Sequence, residues 1–441
     1  MNGSGLARTV SLPSAVFFII GYVVGATIFI LPGSLAADAG PAVFVAYALA
    51  GVPAIFAGFV MAQIGSALPV SGANYVLIRE VLSPYLGFLY QWIMVSMAAV
   101  AIPLIAFGFA DYLGYFLPGI DDRVVAAALT IFFVIVNGFG ITVVASVQNL
   151  LVIAFLVALI LFGVGGVSAG DASLLQPLFP HGYSAMTIAV ITASFSYAGV
   201  YVIAEIAGEV KRPGRNIPLA ILLGFVIIIL IYVLVPLALS MLIPWQELAQ
   251  TPMAVVAAAQ LFLPAPVVTF VALAALFAAA TSVNGIIMGL SRDFLQGASG
   301  GFFPQIFTKV NVRSHAPVNA VVLVGVLALG GILIGGAIVS YVQVALVGMM
   351  IIQIMTGVAL LGLPAQLSEA YEQAQFKLGK TGLIIVCYAY IGFSAIMLLL
   401  LASEKLQVMI IGLGFMAAGV VYYLLWSRLS GVRPESTRQQ A

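Results

Sequence analysis

The residues able to do chemistry in this chain are few, and they sit inside apolar runs. Glu205 is the one acidic side chain in the middle of such a run, in the stretch "TASFSYAGVYVIAEIAGEV" (192–210). A carboxylate at bilayer depth costs several kcal/mol unless it is protonated, paired or wetted, and no basic residue stands at comparable depth in the sequence. Its readings are a proton carrier, a contact for a cationic substrate, a polar anchor for a neighbouring helix, or a protonated structural group. In "FAAATSVNG" (277–285), Ala278, Thr281 and Ser282 stand at i, i+3 and i+4 and share one helical face. Two hydroxyls and a carbonyl there make half of an oxygen cage for a monovalent cation. The plainer reading is the bond that Ser and Thr make to the carbonyl one turn back. The third feature is "GYVVGATIFILPG" (21–33), where Gly21, Gly25, Pro32 and Gly33 weaken one stretch of an apolar helix.

None of this is the equipment of an enzyme. No nucleophile stands with a base, and His181 and His315 fall in loops without metal-ligand spacing. Cys387, the single cysteine, lies in an apolar run and reads as packing. The net charge of +1 offers no patch for nucleic acid.

The elements that must hold these residues are membrane helices. At 441 residues, 63% hydrophobic and 7% charged, with mean hydropathy +1.23, the chain carries more apolar surface than a water-soluble core hides. No cleaved signal peptide is expected. Apolar runs of about 20 residues fall at 13–37, 42–68, 84–117, 124–142, 146–168, 187–210, 217–243, 264–297, 317–337, 339–362, 381–402 and 406–427. These twelve runs are apolar all round rather than alternating, so the fold class expected is an all-α integral membrane protein, a helical bundle. With both termini cytoplasmic, thirteen of the fifteen lysines and arginines fall inside, leaving only Arg123 and Lys405 outside. Adding or dropping one span would scramble that bias. Residues 428–441 form a short cytoplasmic tail, and no separate soluble domain is expected.

Broken backbone at membrane depth survives only where protein buries it or where it lines a cavity for a ligand. Span 6 repeats the signs of span 1: Phe195, Tyr197, Gly199 and Tyr201 interrupt it, ahead of Glu205. Two interrupted spans five apart suggest an inverted repeat, with 13–168 (helices 1–5) as the first unit, 187–362 (helices 6–10) as the second, and 381–427 (helices 11–12) appended. Helices 1 and 6 are then discontinuous.

At these residues the chain resembles the amino acid–polyamine–organocation (APC) transporters, which share the 5+5 inverted-repeat fold of the bacterial leucine transporter. "GATIF" (25–29) with "LPG" (31–33), "FSYAGVYVIAEIAGEVKRPGRNIPLAI" in span 6, and "SRDFLQGASGGFFPQIF" (291–307) after span 8 carry the resemblance together. It implies that the N–H groups of Gly25, Ala26, Thr27 and Ile28 hold a substrate carboxylate, while carbonyls near Phe195, Tyr197 and Ala198 take its amine. Tyr22, Val23, Phe195, Tyr197, Gly199, Val200 and Tyr201 would line the pocket, with Phe195 or Tyr197 as a lid. Thr27 stands where the family usually has a second glycine, which narrows the approach and adds a hydroxyl. The resemblance also implies a sodium ion held by Ala278, Thr281 and Ser282 with the carbonyls of Gly21 and Val24. Sodium-independent relatives often put a lysine from span 5 there, and this span 5 has none.

The expected function is secondary active transport of amino acids with neutral, apolar side chains, coupled to sodium by symport. Proton coupling or exchange, including export, of amino acids or related amines through the same pocket is the alternative, with Glu205 as the coupling group. No cofactor beyond a sodium ion is expected. The partners are a small-molecule substrate and the lipid bilayer, the chain being a monomer or weak homodimer in the inner cell membrane. Glu209 reads as a gate or a surface ion pair, and Asp293 and Arg79 as loop residues.

Overall fold

The computed structural model describes residues 6–251, 253–335, 338–404 and 406–429, without the side chains of 195, 198, 338–346, 404, 406–408 and 427–429. Apart from turns and short 3-10 segments, the described chain is helical. It runs α1 (Leu12–Val24), α2 (Thr27–Ala39), α3 (Val43–Ala67), α4 (Ala73–Val81), α5 (Pro84–Gly114), α6 (Asp122–Gly138), α7 (Ile141–Ala169), α8 (Gly182–Ser194) and α9 (Val202–Glu205). The second half continues with α10 (Pro213–Leu242), α11 (Trp245–Leu248), α12 (Ala254–Ala259), α13 (Ala265–Ser299), α14 (Val318–Ile334), α15 (Ile338–Gln366), α16 (Ser368–Glu372), α17 (Lys380–Glu404) and α18 (Leu406–Leu429). Among the described residues, nine segments are long and apolar enough to cross a membrane, one of them the 56-residue stretch Leu12–Ala67. At about 1.5 Å per residue that stretch is far longer than one crossing. It bends at Gly40, whose φ is +62°, and at the 3-10 turn Gly40–Ala42.

The sequence-read spans fall within a few residues of these helices. What the apolar pattern does not show is α4, nine residues whose Asn, Arg and Glu give no membrane signal. It packs against α5 and α15 at one end of the bundle.

The centre belongs to α13 and α1–α3. Two thirds of the most apolar 18-residue window is buried in Leu12–Ala67 and in α13, against 11% in α18, which therefore lies at the rim. α13 packs on α1, α5, α6, α7 and α14, and α10 on α1, α3 and α7. Large apolar side chains such as Leu150, Leu230 and Phe132 remain exposed on the outer faces of α7, α10 and α6, where lipid can cover them.

Both interrupted helices are interrupted in the structure. α1 ends at Val24, because Gly25 takes φ +38° and ψ −148°, and α2 starts two residues later. Only glycine suits Gly25, since a Cβ there would also lie 2.1 Å from Ser282 Oγ. The second break is the 3-10 segment Phe195–Tyr201, seven residues long, between α8 and α9. Runs of more than three or four residues in that geometry are uncommon and mark hinges. The two breaks touch: a Cβ on Gly199 would stand 2.3 Å from Tyr22 Cδ1 and 2.8 Å from the Tyr22 carbonyl.

One end of the bundle is tied shut. Val10 N–H donates to Glu209 O (3.0 Å) and Lys211 N–H to Val10 O (2.9 Å), strapping the start of α1 to the chain after α9. Beneath the strap Arg292 of α13 donates from Nε to Glu209 Oε1 (2.7 Å) and from Nη2 to Oε2 (3.2 Å), both side chains fully buried. Glu209, read from the sequence as a gate or surface pair, is thus buried against a helix it does not adjoin in the chain.

Removing one partner of a buried pair leaves an uncompensated charge, so Arg292→Met is expected to cost about 3–5 kcal/mol. The double change Arg292→Met with Glu209→Leu should recover most of it. Thermal unfolding in detergent decides, and a single variant as stable as the parent would show that the pair carries nothing. Gly199→Ala should lower stability by about 1–3 kcal/mol through the Tyr22 clash; an unshifted melting curve would mean the breaks are not in contact.

Candidate functional site

The first face of the site is the meeting of the two breaks, and a side chain from neither of them joins it. The Tyr232 hydroxyl, from the middle of α10, lies 2.7 Å from Val23 O, 2.9 Å from Ser196 O and 3.1 Å from Thr27 Oγ1. Two carbonyls at the breaks, one on each helix, thereby share one phenol in the protein interior, where an unpartnered carbonyl would be costly. Thr27 Oγ1 also donates to Val24 O (3.0 Å), and Ala26 caps α2 without a side-chain bond. The first N–H groups of α2 have no partner within their own helix and point along its axis, the standing geometry of an anion site.

The sequence-read pocket residues separate into groups here. Gly25, Ala26, Thr27 and Ile28 lie at the first break, with Ile28 fully buried, and Val23 turns its carbonyl to Tyr232. Tyr22 fits its ring between Gly199 and Gly285, where added Cβ atoms would come within 2.3 and 2.5 Å. Tyr197 does not face that gap. Its hydroxyl donates to Tyr47 O (2.9 Å), and its ring meets Tyr232 edge-on at 4.9 Å and stacks on Phe225 at 6.4 Å. Tyr201 Oη accepts from Tyr390 Oη (2.8 Å). The backbones of Phe195 and Ala198 belong to the second break, while their side chains, and with them the lid expected of Phe195, lie outside the described residues.

The oxygen cluster expected for sodium is partly assembled. Thr281 Oγ1 stands 3.0 Å from Gly21 O and 2.7 Å from Ala278 O, and Ser282 Oγ stands 3.5 and 3.4 Å from the same carbonyls. Val24 O, the fifth expected ligand, instead accepts from Thr27. A chain of amides ends at the cluster: Asn137 Nδ2 donates to Phe133 O and Asn284 Oδ1, and Asn284 Nδ2 donates to Gln148 Oε1. That order leaves Gln148 Nε2 as a donor without a partner, 2.4 Å from where a Cβ on Gly21 would be. An N–H donor beside carbonyls competes with a cation for them. Gln148 comes from α7, the fifth span of the sequence reading, from which the resemblance led one to expect a lysine in sodium-independent relatives.

Glu205 has company the sequence did not reveal. Asp293 lies in α13, not in a loop, and is buried with it. Tyr90 of α5 brings its hydroxyl 3.1 Å from Glu205 Oε1 and 3.3 and 3.4 Å from the two oxygens of Asp293. Asn74 of α4 donates its amide to Glu205 Oε1. These side chains, with Tyr22, Tyr201, Gly289 and Gln353, line a cavity of about 60 Å³. Asp293 was legible as a charge beside Arg292 near the end of span 8, but nothing in a sequence says which face of α13 turns inward there. Tyr232, a lone phenol in an apolar span, gave no signal at all.

A second, larger cavity of about 520 Å³ lies at the other end of the broken helix, lined by Phe29, Gly33, Asp111, Tyr112, Thr251 and Met253. Along α5 the two cavities are centred near residues 94 and 110, about 24 Å apart. The breaks, plugged by Tyr22 and Tyr232, separate them. Among the described residues, no group of histidine, cysteine, aspartate and glutamate forms a metal cluster.

The family model described as "Amino acid permease" matches residues 10–426. The methylthioribose transporter of Bacillus subtilis is 25% identical over 350 residues, 75% of each chain. The human cystine/glutamate transporter is 28% identical over 342 residues, covering 74% of this chain and 68% of its own. The b(0,+)-type amino acid transporter 1 of Mus musculus is 24% identical over 346 residues, 75% of this chain and 70% of its own. A match running from the strap before α1 to the end of α18 takes in both breaks and every helix around them, and the chain belongs to the amino acid permeases of the APC transporters.

Proposed function

We propose that this protein is a secondary active transporter of amino acids that works by alternating access around the two backbone breaks. The observation that carries the reading is Tyr232, whose hydroxyl stands where the carbonyls of Val23 and Ser196 converge. An amine can replace a phenol there, donating to the same two carbonyls, while a carboxylate takes the N–H groups at the start of α2. Both charges of an amino acid are then met by peptide dipoles, without an ionised side chain. None of Tyr22, Val23, Thr27, Ile28 and Tyr201 is charged, which favours a neutral, apolar substrate side chain. Relatives named for cystine, glutamate and cationic amino acids support amino acid transport in general rather than that choice.

The end tied by the strap and by Arg292–Glu209 would be the closed gate, and the cavity of about 520 Å³ at the opposite end the open one. The topology proposed is twelve crossings with both termini in the cytoplasm of a cell membrane. It follows on dividing Leu12–Ala67 at Gly40 and counting the 17-residue helices α6 and α14 as spans. Helices α1 to α7 and α8 to α15 would then form the two inverted units. With positive charge inside, the strapped end is cytoplasmic and the structure is open to the outside.

Coupling to sodium at Gly21, Ala278, Thr281 and Ser282 is a second reading, favoured by the convergence of their four oxygens. Gln148 Nε2 weighs against it.

Purified protein in liposomes is expected to take up at least one neutral amino acid from a radiolabelled mixture, and the same compound should raise its melting temperature. Absence of both uptake and counterflow for every standard amino acid would sink the transport reading. Tyr232→Phe removes the hydroxyl that the amine must displace; at about 0.5–1.5 kcal/mol for each net bond, the substrate-free state loses that stabilisation and the substrate should bind roughly tenfold more tightly, with the fold retained. Unchanged affinity would show that Tyr232 does not stand in for the substrate. If sodium is the driving ion, Thr281→Ala abolishes a sodium response that the parent shows; a parent indifferent to sodium excludes that reading.

A further inference from the structure

We propose that Glu205 and Asp293 are a proton-sharing carboxyl pair, and that the proton they exchange with the cavity beside them drives transport. The inference rests on the transport reading and adds to it the driving ion and its binding groups.

Hydrogen counting comes first. The Tyr90 hydroxyl carries one proton, yet three carboxyl oxygens of the pair lie within 3.4 Å of it. The two carboxyl groups meet at that hydroxyl, which can donate to only one of these oxygens. Two ionised carboxylates accept and do not donate, so the remaining oxygens are met only with a second proton among them. Among the described residues, no N–H or O–H reaches the buried acceptors Glu205 Oε2 and Asn74 Oδ1, and both residues line the cavity. The site is rich in acceptors and short of donors.

Charge counting agrees. The charged and titratable groups around the pair are Tyr22 from α1, Tyr90 from α5, Tyr201 from the second break, Glu209 after α9, and Arg292 from α13; α4 and α15 contribute the neutral Asn74 and Gln353. Among these described residues, Arg292 is the one cation, and its guanidinium is committed to Glu209, to Ser291 Oγ (2.9 Å) and to Met288 O (3.4 Å). The charge of Glu209 is thereby neutralised, and those of Glu205 and Asp293, if both ionised, would oppose each other in a buried space with the Tyr90 hydroxyl alone between them. Gaining one proton from the cavity removes that opposition; losing it restores it. The O–H bond that forms on the carboxyl replaces one broken on water entering the cavity, and no oxidation state changes.

Place and size assign the ligand. The cavity holds a few waters but has no room for an organic cation, which favours a proton over an ammonium or guanidinium side chain. Its walls include Tyr22 of α1, Glu205 of α9 and Asp293 of α13, so a change of charge here reaches both broken helices and the helix that carries Arg292. This differs from the sodium cluster: Thr281 and Ser282 lie about three turns before Asp293 on α13 and contact Gly21 rather than Glu205.

The test uses the full chain in liposomes with a radiolabelled mixture of the standard amino acids, an imposed pH gradient, and counterflow without a gradient. In the parent, the pH gradient should accelerate net uptake. In Glu205→Gln and in Asp293→Asn, net uptake should fall about tenfold more than counterflow does, and the pH response should vanish. Tyr90→Phe, which keeps both carboxyls, should shift the pH at which uptake is half-maximal. Equal losses of net uptake and counterflow in both variants, or a pH response that survives either, overturn the pair as the coupling site. A sodium gradient that replaces the pH gradient in the parent and fails in Asp293→Asn would make this a sodium site and overturn the proton. A parent with counterflow but no pH response refutes the pair and leaves the transport reading standing, whereas a parent with neither removes both.

Discussion

A lipid interior offers no water to a broken helix, so every peptide group freed by the interruption of α1 and α8–α9 must find its partner inside the protein. Tyr232 meets that demand at two carbonyls at once, and Thr281 and Ser282 meet it at Gly21. The arrangement of the surrounding helices follows. α10 must bring its phenol to the crossing of the breaks, and α13 must bring its hydroxyl face to the end of α1. Gly25, Gly199 and Gly285 must stay bare so that backbone, Tyr22 ring and Ser282 come within reach of one another. A partner that is a hydroxyl, rather than another peptide group in a regular helix, can be exchanged for a ligand. The cost of breaking the helices is offset in a way that leaves the site usable.

The same layer of α13 separates two kinds of polar chemistry. One turn of it carries hydroxyls that face peptide carbonyls. Further along, Arg292 and Asp293 face Glu209 and Glu205. Buried ion pairs are weak contributors to stability but are costly to leave half-made. Arg292–Glu209 therefore ties α13 to the chain after α9 beneath the strap of Val10, and breaking half of it would leave a buried charge. Next to it, a carboxyl pair with no cation of its own is the natural place for a mobile charge.

Much of this was legible in the residues. Apolar length gave every membrane helix to within a few residues, because lipid imposes that length directly, and the glycines and proline of 21–33 and the aromatics of 195–201 marked the breaks. Three things escaped, for physical reasons. α4 is short and mixed in polarity, so its Asn74 looked like loop. Asp293 and Glu209 sit near helix ends, where a charge reads as solvated unless the tertiary partner is known. Tyr232 is a single phenol in an apolar run, and Tyr197, for which the resemblance implied a lid, donates to Tyr47 O instead, from a 3-10 segment whose side chains turn differently from those of an α-helix.

The most direct test of the account is an experimental structure of the protein bound to the amino acid that most raises its melting temperature. The account requires the ligand's carboxylate at the N–H groups of residues 26–28 and its amine at the carbonyls of Val23 and Ser196, with the Tyr232 hydroxyl displaced. A ligand seated elsewhere, with Tyr232 still bridging both breaks, would contradict it.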